Sequence, residues 1–464
     1  MTQSRDHRRH FVISPPRHVW LCILLVGSGH LDRLEAQTTQ KRGSGGTTPL
    51  STRVDDYFAP IVANHDFAGA VLIARGDDIL VNRPYGLADP ELGVPTSTNN
   101  VYRIASLTKT FTAAAIVMLA ERGSLRLEDS LSRFLPDFPG ARNITILHLL
   151  RHEGGLDNPD YRDAMKERID LRELVRRIGA RPPLFAPGTQ GRYSNAGYSV
   201  LARVIEIASG MSYDDFLRRN IFQPLGMTAT GSVPDDTVVP GRVRGFIPGP
   251  RPAGVIPTPW SDIGFMIGSG SIMSTTGDLY RWARAVHTEH LYRRTALPYP
   301  YGWGRLGADH RAGIDQTGLG NGFTASIAIW FSDSLYVVVL GNIESARWAQ
   351  WSTDLAALAR GASVAMPAVR QEVPLTPALA ARFVGEYATT EHSIVIERRG
   401  GSLWLLLDRW PIPKYLAPVA ANEFELRSDF GRIVFDTTGS GLSPQLTWVF
   451  GPDARSAYPR RERR

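Results

Sequence analysis

Ile104-Ala105-Ser106-Leu107-Thr108-Lys109-Thr110-Phe111-Thr112-Ala113 opens a run that stays apolar through Ala120. A stretch with no polar stripe predicts a helix buried on every side, here from about Ser106 to Arg122. Ser106 and Lys109 do not suit that setting. Three residues apart on a helix, they share a face, with Cβ atoms about 5–6 Å from each other. Lysine is also scarce: Lys41, Lys109, Lys166 and Lys414 stand among 52 Lys and Arg residues, so arginine does nearly all the cationic work. A serine hydroxyl attacks poorly until a base takes its proton, and a neutral amine is such a base. An ordinary lysine titrates near about 10.4 and is charged, but burial and the positive end of a helix both lower that value. Bringing it to about 7–8 costs roughly 3–5 kcal/mol, at about 1.36 per unit. A fold tolerates that cost where the amine is used. By itself Ser-x-x-Lys is equally compatible with a helix cap followed by a solvated lysine, and this composition produces it by chance roughly 0.3 times.

A second cluster follows at Pro187-Gly188-Thr189 and Gly191-Arg192-Tyr193-Ser194-Asn195-Ala196-Gly197-Tyr198. Tyr193 and Asn195 are two apart, which puts a phenol and an amide on one side of an extended or turning segment. A tyrosine beside a cationic amine titrates lower and can pass protons, and the asparagine amide can bond a substrate carbonyl. A buried tyrosine next to a turn asparagine is the competing reading.

Outward from these two stretches, the chain alternates in texture. Ala68–Ala74 and Ile79–Val81 flank a Gly76-Asp77-Asp78 turn as a hairpin, and Ser326–Phe331 and Leu335–Leu340 flank Ser332-Asp333-Ser334 as another. Helical patterns occupy about 171–179, 196–209, 213–221, 277–287 and 346–360. Strands at both ends with helices between predict an α+β sandwich: one antiparallel sheet built from the two ends of the block 49–366, flanked by helices, with a helical lobe inserted. Beyond Pro367, Phe383–Tyr387, Ser393–Arg398, Leu403–Leu407, Glu423–Arg427 and Arg432–Phe435 are short runs between Gly, Asp and Asn turns. They predict a small all-β, barrel-like module over 367–464.

The first 36 residues combine Arg5, Arg8, Arg9 and Arg17 with an apolar core, Val19–Gly27, too short to span a bilayer. That pattern is expected of a secretory signal peptide cleaved near Ala36, with 37–48 as a flexible linker, and of a periplasmic or secreted protein. Cys22, the single cysteine, falls inside this segment, so disulfides, thiolate catalysis and cysteine metal sites are not expected in the mature chain.

The chain is 43% hydrophobic and 21% charged, a globular composition. Its net charge of +7 is scattered, with no basic helix and no interleaved aromatics, which argues against nucleic acid. A mild positive field suits small anionic substrates. His148 and His152 are spaced as zinc ligands on a helix can be, but no His-Glu-x-x-His and no third ligand accompany them, and no metal or cofactor is expected. A Gly-x-Ser-x-Gly elbow is missing, and Gly318-x-Gly320-x-Gly322 lacks the Gly-Lys-Ser/Thr ending of a phosphate loop. Trp260 and Trp303 read as pocket or core walls.

Taken together, these stretches resemble the serine beta-lactamase and penicillin-binding-protein superfamily, in its class C, D-Ala-D-Ala carboxypeptidase and esterase branch. Besides Ile104–Ala113 and Phe185–Tyr198, the resemblance includes Ile144–His152, Ile221–Met227 and Gly268–Leu279, in family order over roughly 50–360. It implies Ser106 as acyl-accepting nucleophile, Lys109 as its proton acceptor, Tyr193 in the proton relay and Asn195 on the substrate amide. The third motif, Lys/His-Thr/Ser-Gly, aligns with Gln316-Thr317-Gly318. Gln316, Thr317, Gly318 and Leu319 are then expected to bind substrate, and the N–H groups of Ser106 and Leu319 to form the oxyanion hole. Two departures stand out. Gln316 replaces a charged or titratable residue that helps to hold a substrate carboxylate, which weakens the case for efficient beta-lactam hydrolysis, and Gly154 replaces a frequent Ser or Thr. The implied activity is that of an exported serine hydrolase on small amides, esters or D-amino-acid peptides. A slowly acylating sensor that signals through its C-terminal module is the alternative.

Overall fold

The computed structural model describes residues 48–159, 165–232, 236–293, 301–306, 312–389, 392–408, 412–428, 431–450 and 454–461. The expected signal segment with Cys22, and the linker up to residue 47, lie outside them.

Helix α1 (Leu50–Ala63) leads into the hairpin β1 (Gly69–Arg75) and β2 (Asp78–Tyr85). A small ribbon of β3 (Leu87–Asp89) and β4 (Val94–Pro95) and the short β5 (Tyr102–Arg103) lead to a 3-10 turn, Ala105–Leu107, and helix α2 (Thr108–Glu121). A helical lobe comprises α3 (Ile146–Leu150), α4 (Leu171–Gly179), α5 (Asn195–Ser209) and α6 (Tyr213–Leu217), whose last turn widens over Arg218–Phe222. The short strands β6 (Gly231–Ser232), β7 (Phe246–Pro248), β8 (Val255–Pro257) and β9 (Ile272–Ser274) return the chain to α7 (Thr276–His287). Then come β10 (Gly304–Arg305), β11 (Gly313–Gly320), β12 (Phe323–Trp330), β13 (Leu335–Gly341) and α8 (Trp348–Ala359).

The main sheet runs β10-β11-β12-β13-β1-β2, and its β13–β1 pairing joins the two ends of the block 49–366, from Gly69 opposite Gly341 to Arg75 opposite Leu335. Alternation of side chains along each strand divides the core in two. Val71, Ile73, Val337 and Val339 pack with Val54, Phe58, Trp351 and Leu355 of α1 and α8. Leu72, Ala74, Val338 and Leu340 join the larger core that holds α2, α5 and α7. Phe111 stacks on Trp282 at 4.5 Å, and the indole N–H of Trp282 donates to Thr110 at 3.0 Å, fixing α2 against α7. The sandwich, the sheet and the inserted lobe are as the sequence predicts.

The C-terminal part opens with α9 (Pro377–Phe383) and continues as an up-and-down meander of β14 (Gly385–Ala388), β15 (Ser393–Arg399), β16 (Ser402–Leu407), β17 (Lys414–Ala420), β18 (Glu423–Leu426), β19 (Arg432–Phe435), β20 (Gln445–Val449) and β21 (Arg455–Pro459). A bridge between Tyr387 and Arg460 brings the last strand back to the first, so the sheet nearly closes into a barrel. Two expectations change here. Phe383 ends a helix, because Thr376 caps its first turn and Pro377 favours that start. Lys414–Ala420, Gln445–Val449 and Arg455–Pro459 are strands that the sequence reading passed over, the first interrupted by Pro418 and the others short and half polar.

Candidate active site

Ser106 sits on the 3-10 turn rather than on the α-helix itself, and its predecessor Ala105 holds φ at +44°. A non-glycine residue in that region is strained, and the strain ends where the hydroxyl is aimed. Lys109 follows in the first turn of α2 and is fully buried. Its Nζ lies 3.1 Å from Ser106 Oγ, 2.7 Å from Asn195 Oδ1 and 2.8 Å from the carbonyl of Ser269. Burial holds the amine well below the usual lysine range. The geometry suits a neutral amine. Asn195 Oδ1 and the Ser269 carbonyl only accept, so they take two of the lysine N–H groups, and a neutral amine would then turn its lone pair to the Ser106 hydroxyl.

Tyr193 approaches from the other side. Its phenol oxygen is 2.6 Å from Ser106 Oγ, and Lys109 Nζ lies 4.7 Å from its ring centroid. The sequence order Tyr193-Ser194-Asn195 has a structural cause. Ser194 is the N-cap of α5, its Oγ accepting the Gly197 N–H at 3.0 Å. Tyr193 is therefore on the extended approach and reaches both Ser106 and Lys109, while Asn195 is the first helical residue and reaches the same lysine. Asn195, expected on a substrate amide, gives its Oδ1 to Lys109.

Strand β11 closes the third side. A Cβ on Gly318 would fall 2.0 Å from Ile104 O and 3.0 Å from Ser106 N, so only glycine lets the strand lie on the nucleophile turn. Leu319 follows Gly318 along the same strand. Gln316 does not reach Ser106. Its Nε2 donates to Gly302 O at 2.6 Å and its Oε1 accepts the Thr317 N–H at 2.8 Å. Gly302, with φ +80°, is itself packed on Lys109, since a Cβ there would meet Lys109 O at 2.6 Å. The Gln316 amide thus braces the lysine's own turn. Thr317 is buried, and its hydroxyl has no hydrogen-bond partner among the described residues.

His152 belongs to this group, although the sequence offered it only as a possible zinc ligand and as the end of the Ile144–His152 stretch. Its Nδ1 accepts the Ser194 N–H at 3.1 Å, and its ring lies between Tyr193 and Tyr198 at centroid distances of 4.8 and 5.0 Å. Burial, then the nearby Lys109 charge, pushes it down to about 3, which keeps it neutral. His148 takes a different task as part of the capping box of α3, with Thr145. No group of three or more His, Cys, Asp or Glu side chains is placed to hold a metal ion among the described residues.

A penicillin-binding protein of Bacillus subtilis is 35% identical over 252 residues, half of this chain and 55% of that protein. Esterase EstB of Burkholderia gladioli is 34% identical over 241 residues, 44% of this chain and 60% of EstB. The chain thus aligns with somewhat over half the length of these relatives. The crystal structure of a penicillin-binding protein from Bacillus halodurans superposes with a TM-score of 0.57 at 25% identity, covering 68% of this chain and 99% of that one. The family profile described as Beta-lactamase matches residues 54–359, the span that contains the sandwich, the lobe and every residue around Ser106. The chain belongs to the beta-lactamase family.

Proposed function

We propose that the protein is a serine hydrolase that works through an acyl-enzyme on Ser106. The observation that carries this reading is the double contact of Ser106 Oγ, 3.1 Å from a buried lysine amine and 2.6 Å from a tyrosine hydroxyl. Ser106 Oγ attacks a carbonyl carbon as its proton passes to the neutral Lys109. Tyr193 gives its proton to the departing nitrogen or oxygen and, as phenolate, later takes one from the water that releases the acyl group, while Lys109 returns its proton to Ser106 Oγ. Such proton transfers contribute about 10²–10⁴-fold in rate. The backbone N–H groups of Ser106 and Leu319 would receive the oxyanion, each worth about 10²–10³-fold. Asn195 and Ser269 hold the lysine amine in place, and Gln316 acts from behind it.

Small amides, esters and D-amino-acid peptides are the proposed substrates, with beta-lactams among the carbonyl compounds to be tested. One relative's name is that of a penicillin-binding protein and the other's that of an esterase, which supports both ends of that range. Residues 49–366 form the proposed hydrolase domain and 367–464 an accessory one. The basic and then apolar N-terminus supports export; among the described residues no helix is long and apolar enough to cross a membrane.

Mass spectrometry of the intact protein incubated with nitrocefin, p-nitrophenyl acetate and a fluorophosphonate tests the reading. A single adduct on Ser106 is expected, absent in Ser106→Ala and formed about 10²–10⁴-fold more slowly in Lys109→Ala. The wild-type rate should climb with pH on a limb set by Lys109, below the ordinary 10.5. No adduct with any reagent, or acylation unaffected by Lys109→Ala, would remove the proposal.

A further inference from the structure

The hairpin of β11 and β12 turns at Gly320–Phe323, two residues beyond the Gly318 contact with Ser106. The turn is tightly held. Asn321 and Gly322 have φ of +52° and +81°, and a Cβ on Gly322 would lie 2.4 Å from Phe246 N in β7. Phe246 N donates to Gly322 O at 3.3 Å, and the Gly322 N–H donates to Glu344 Oε2 at 3.1 Å. Glu344 is buried on a segment that is fixed in turn. Its own N–H donates to Phe246 O at 2.9 Å, and its neighbours Ile343 and Ser345 offer their carbonyls to the Thr324 hydroxyl at 2.9 and 3.2 Å. The other carboxylate oxygen, Oε1, lies 3.7 Å from Lys414 Nζ, with side-chain exposures of 3% and 6%. Lys414 is the first residue of β17, so it comes from the C-terminal barrel.

A carboxylate this deeply buried is tolerated when a counter-charge and hydrogen bonds accompany it. Here the barrel supplies a counter-charge, and one hydrogen bond goes to the turn of the strand that lies on the nucleophile. A bond from an N–H to an ionised carboxylate is stronger than one to a neutral acceptor. The two lysines at Lys109 and Lys414 are both buried, one at the nucleophile and the other behind its neighbouring strand.

We infer that Glu344 and Lys414 are positioning residues for the acyl-transfer site, and that the C-terminal barrel takes part in the reaction by neutralising the carboxylate that holds the β11–β12 turn. The inference rests on the proposed acyl transfer at Ser106. The strand that would supply the Leu319 N–H is set by its turn, and a displacement of about 1 Å at such a group is enough to cost up to about 10²-fold in rate.

The test uses the full chain with Lys414→Met, Glu344→Ala and the double variant Lys414→Met/Glu344→Gln. Amide hydrogen exchange over 316–323 is measured together with kcat and KM for p-nitrophenyl acetate, well below each variant's melting temperature. Lys414→Met and Glu344→Ala should each raise exchange at 318–323 and lower kcat about 10-fold with little change in KM. The double variant removes the stranded charge but keeps an oxygen on the Gly322 N–H, so exchange and kcat should return toward wild type. Unchanged exchange at 318–323 in both single variants, or a double variant as slow and as exchange-prone as Lys414→Met, would overturn the inference. If the wild type forms no acyl-enzyme, the hydrolase reading fails by itself, and the exchange comparison still decides whether the barrel's lysine holds the turn.

Discussion

His152 shows how one buried side chain ties the site to stability. Its ring lies between two tyrosines, and its Nδ1 holds the N–H of the residue that caps α5. In the fold it titrates near 3, whereas in the unfolded chain it titrates near the ordinary 6.5. As pH falls, the unfolded chain takes up the proton first, so stability is fully present above about 6.5 and is lost on the way down to about 3. The full loss is on the order of 5 kcal/mol at about 1.36 per unit. His152→Gln should flatten the acid limb of the stability curve across that window, as read from urea melts at pH 3.5, 5 and 7. An unchanged limb would mean that the ring charges without cost. At this scale the sequence was informative about Ser106, Lys109 and Tyr193, because residue spacing on a helix and at a cap is local. It was not informative about Ser269, whose backbone carbonyl leaves no mark in side-chain type, or about Gly302, whose glycine is explained by a close approach to a residue far away in the chain.

The 3-10 turn that leads into helix α2 and strand β11 build the cleft, and they meet at Gly318. Gly318→Ala would place a methyl 2.0 Å from the Ile104 carbonyl, so the strand must move off the nucleophile turn. The expected result is a loss of about 10²-fold in acylation, carried by kcat, while far-ultraviolet circular dichroism stays unchanged. An active Gly318→Ala enzyme would show that β11 does not need this approach. The helices were legible because their apolar pattern is periodic. Lys414–Ala420 and the last two strands were not, since each carries a proline or polar alternation that single-strand patterning discounts and the neighbouring strands of a barrel supply.

Between the sandwich and the barrel lies a buried ionic junction. Arg427 of the barrel donates to Asp66 at 2.9 Å and to the carbonyls of Asn64 and His65, while Arg370 meets the second Asp66 oxygen at 2.9 Å and Glu425 at 2.9 Å. Removing one partner of such a group leaves a buried charge uncompensated and costs about 3–5 kcal/mol. Arg427→Met should therefore split the calorimetric melt into two transitions, one for each part, where a single one is expected of the wild type. A single transition at the wild-type temperature would indicate that the junction carries no coupling. The amino-acid order by itself determined the family, the sandwich with its inserted lobe and the local pairs Ser106–Lys109 and Tyr193–Asn195, because apolar periodicity, caps and short spacings act within a few residues. Only the tertiary structure decided that Asn195 turns to the lysine, that Gln316 braces it from behind, that His152 lies between two tyrosines and that a barrel lysine stands behind the β11 turn. Those contacts join residues as far as 193 positions apart, as Gly302 is from Lys109, and burial, which sets the charge state of each group, exists only once the chain has closed around them.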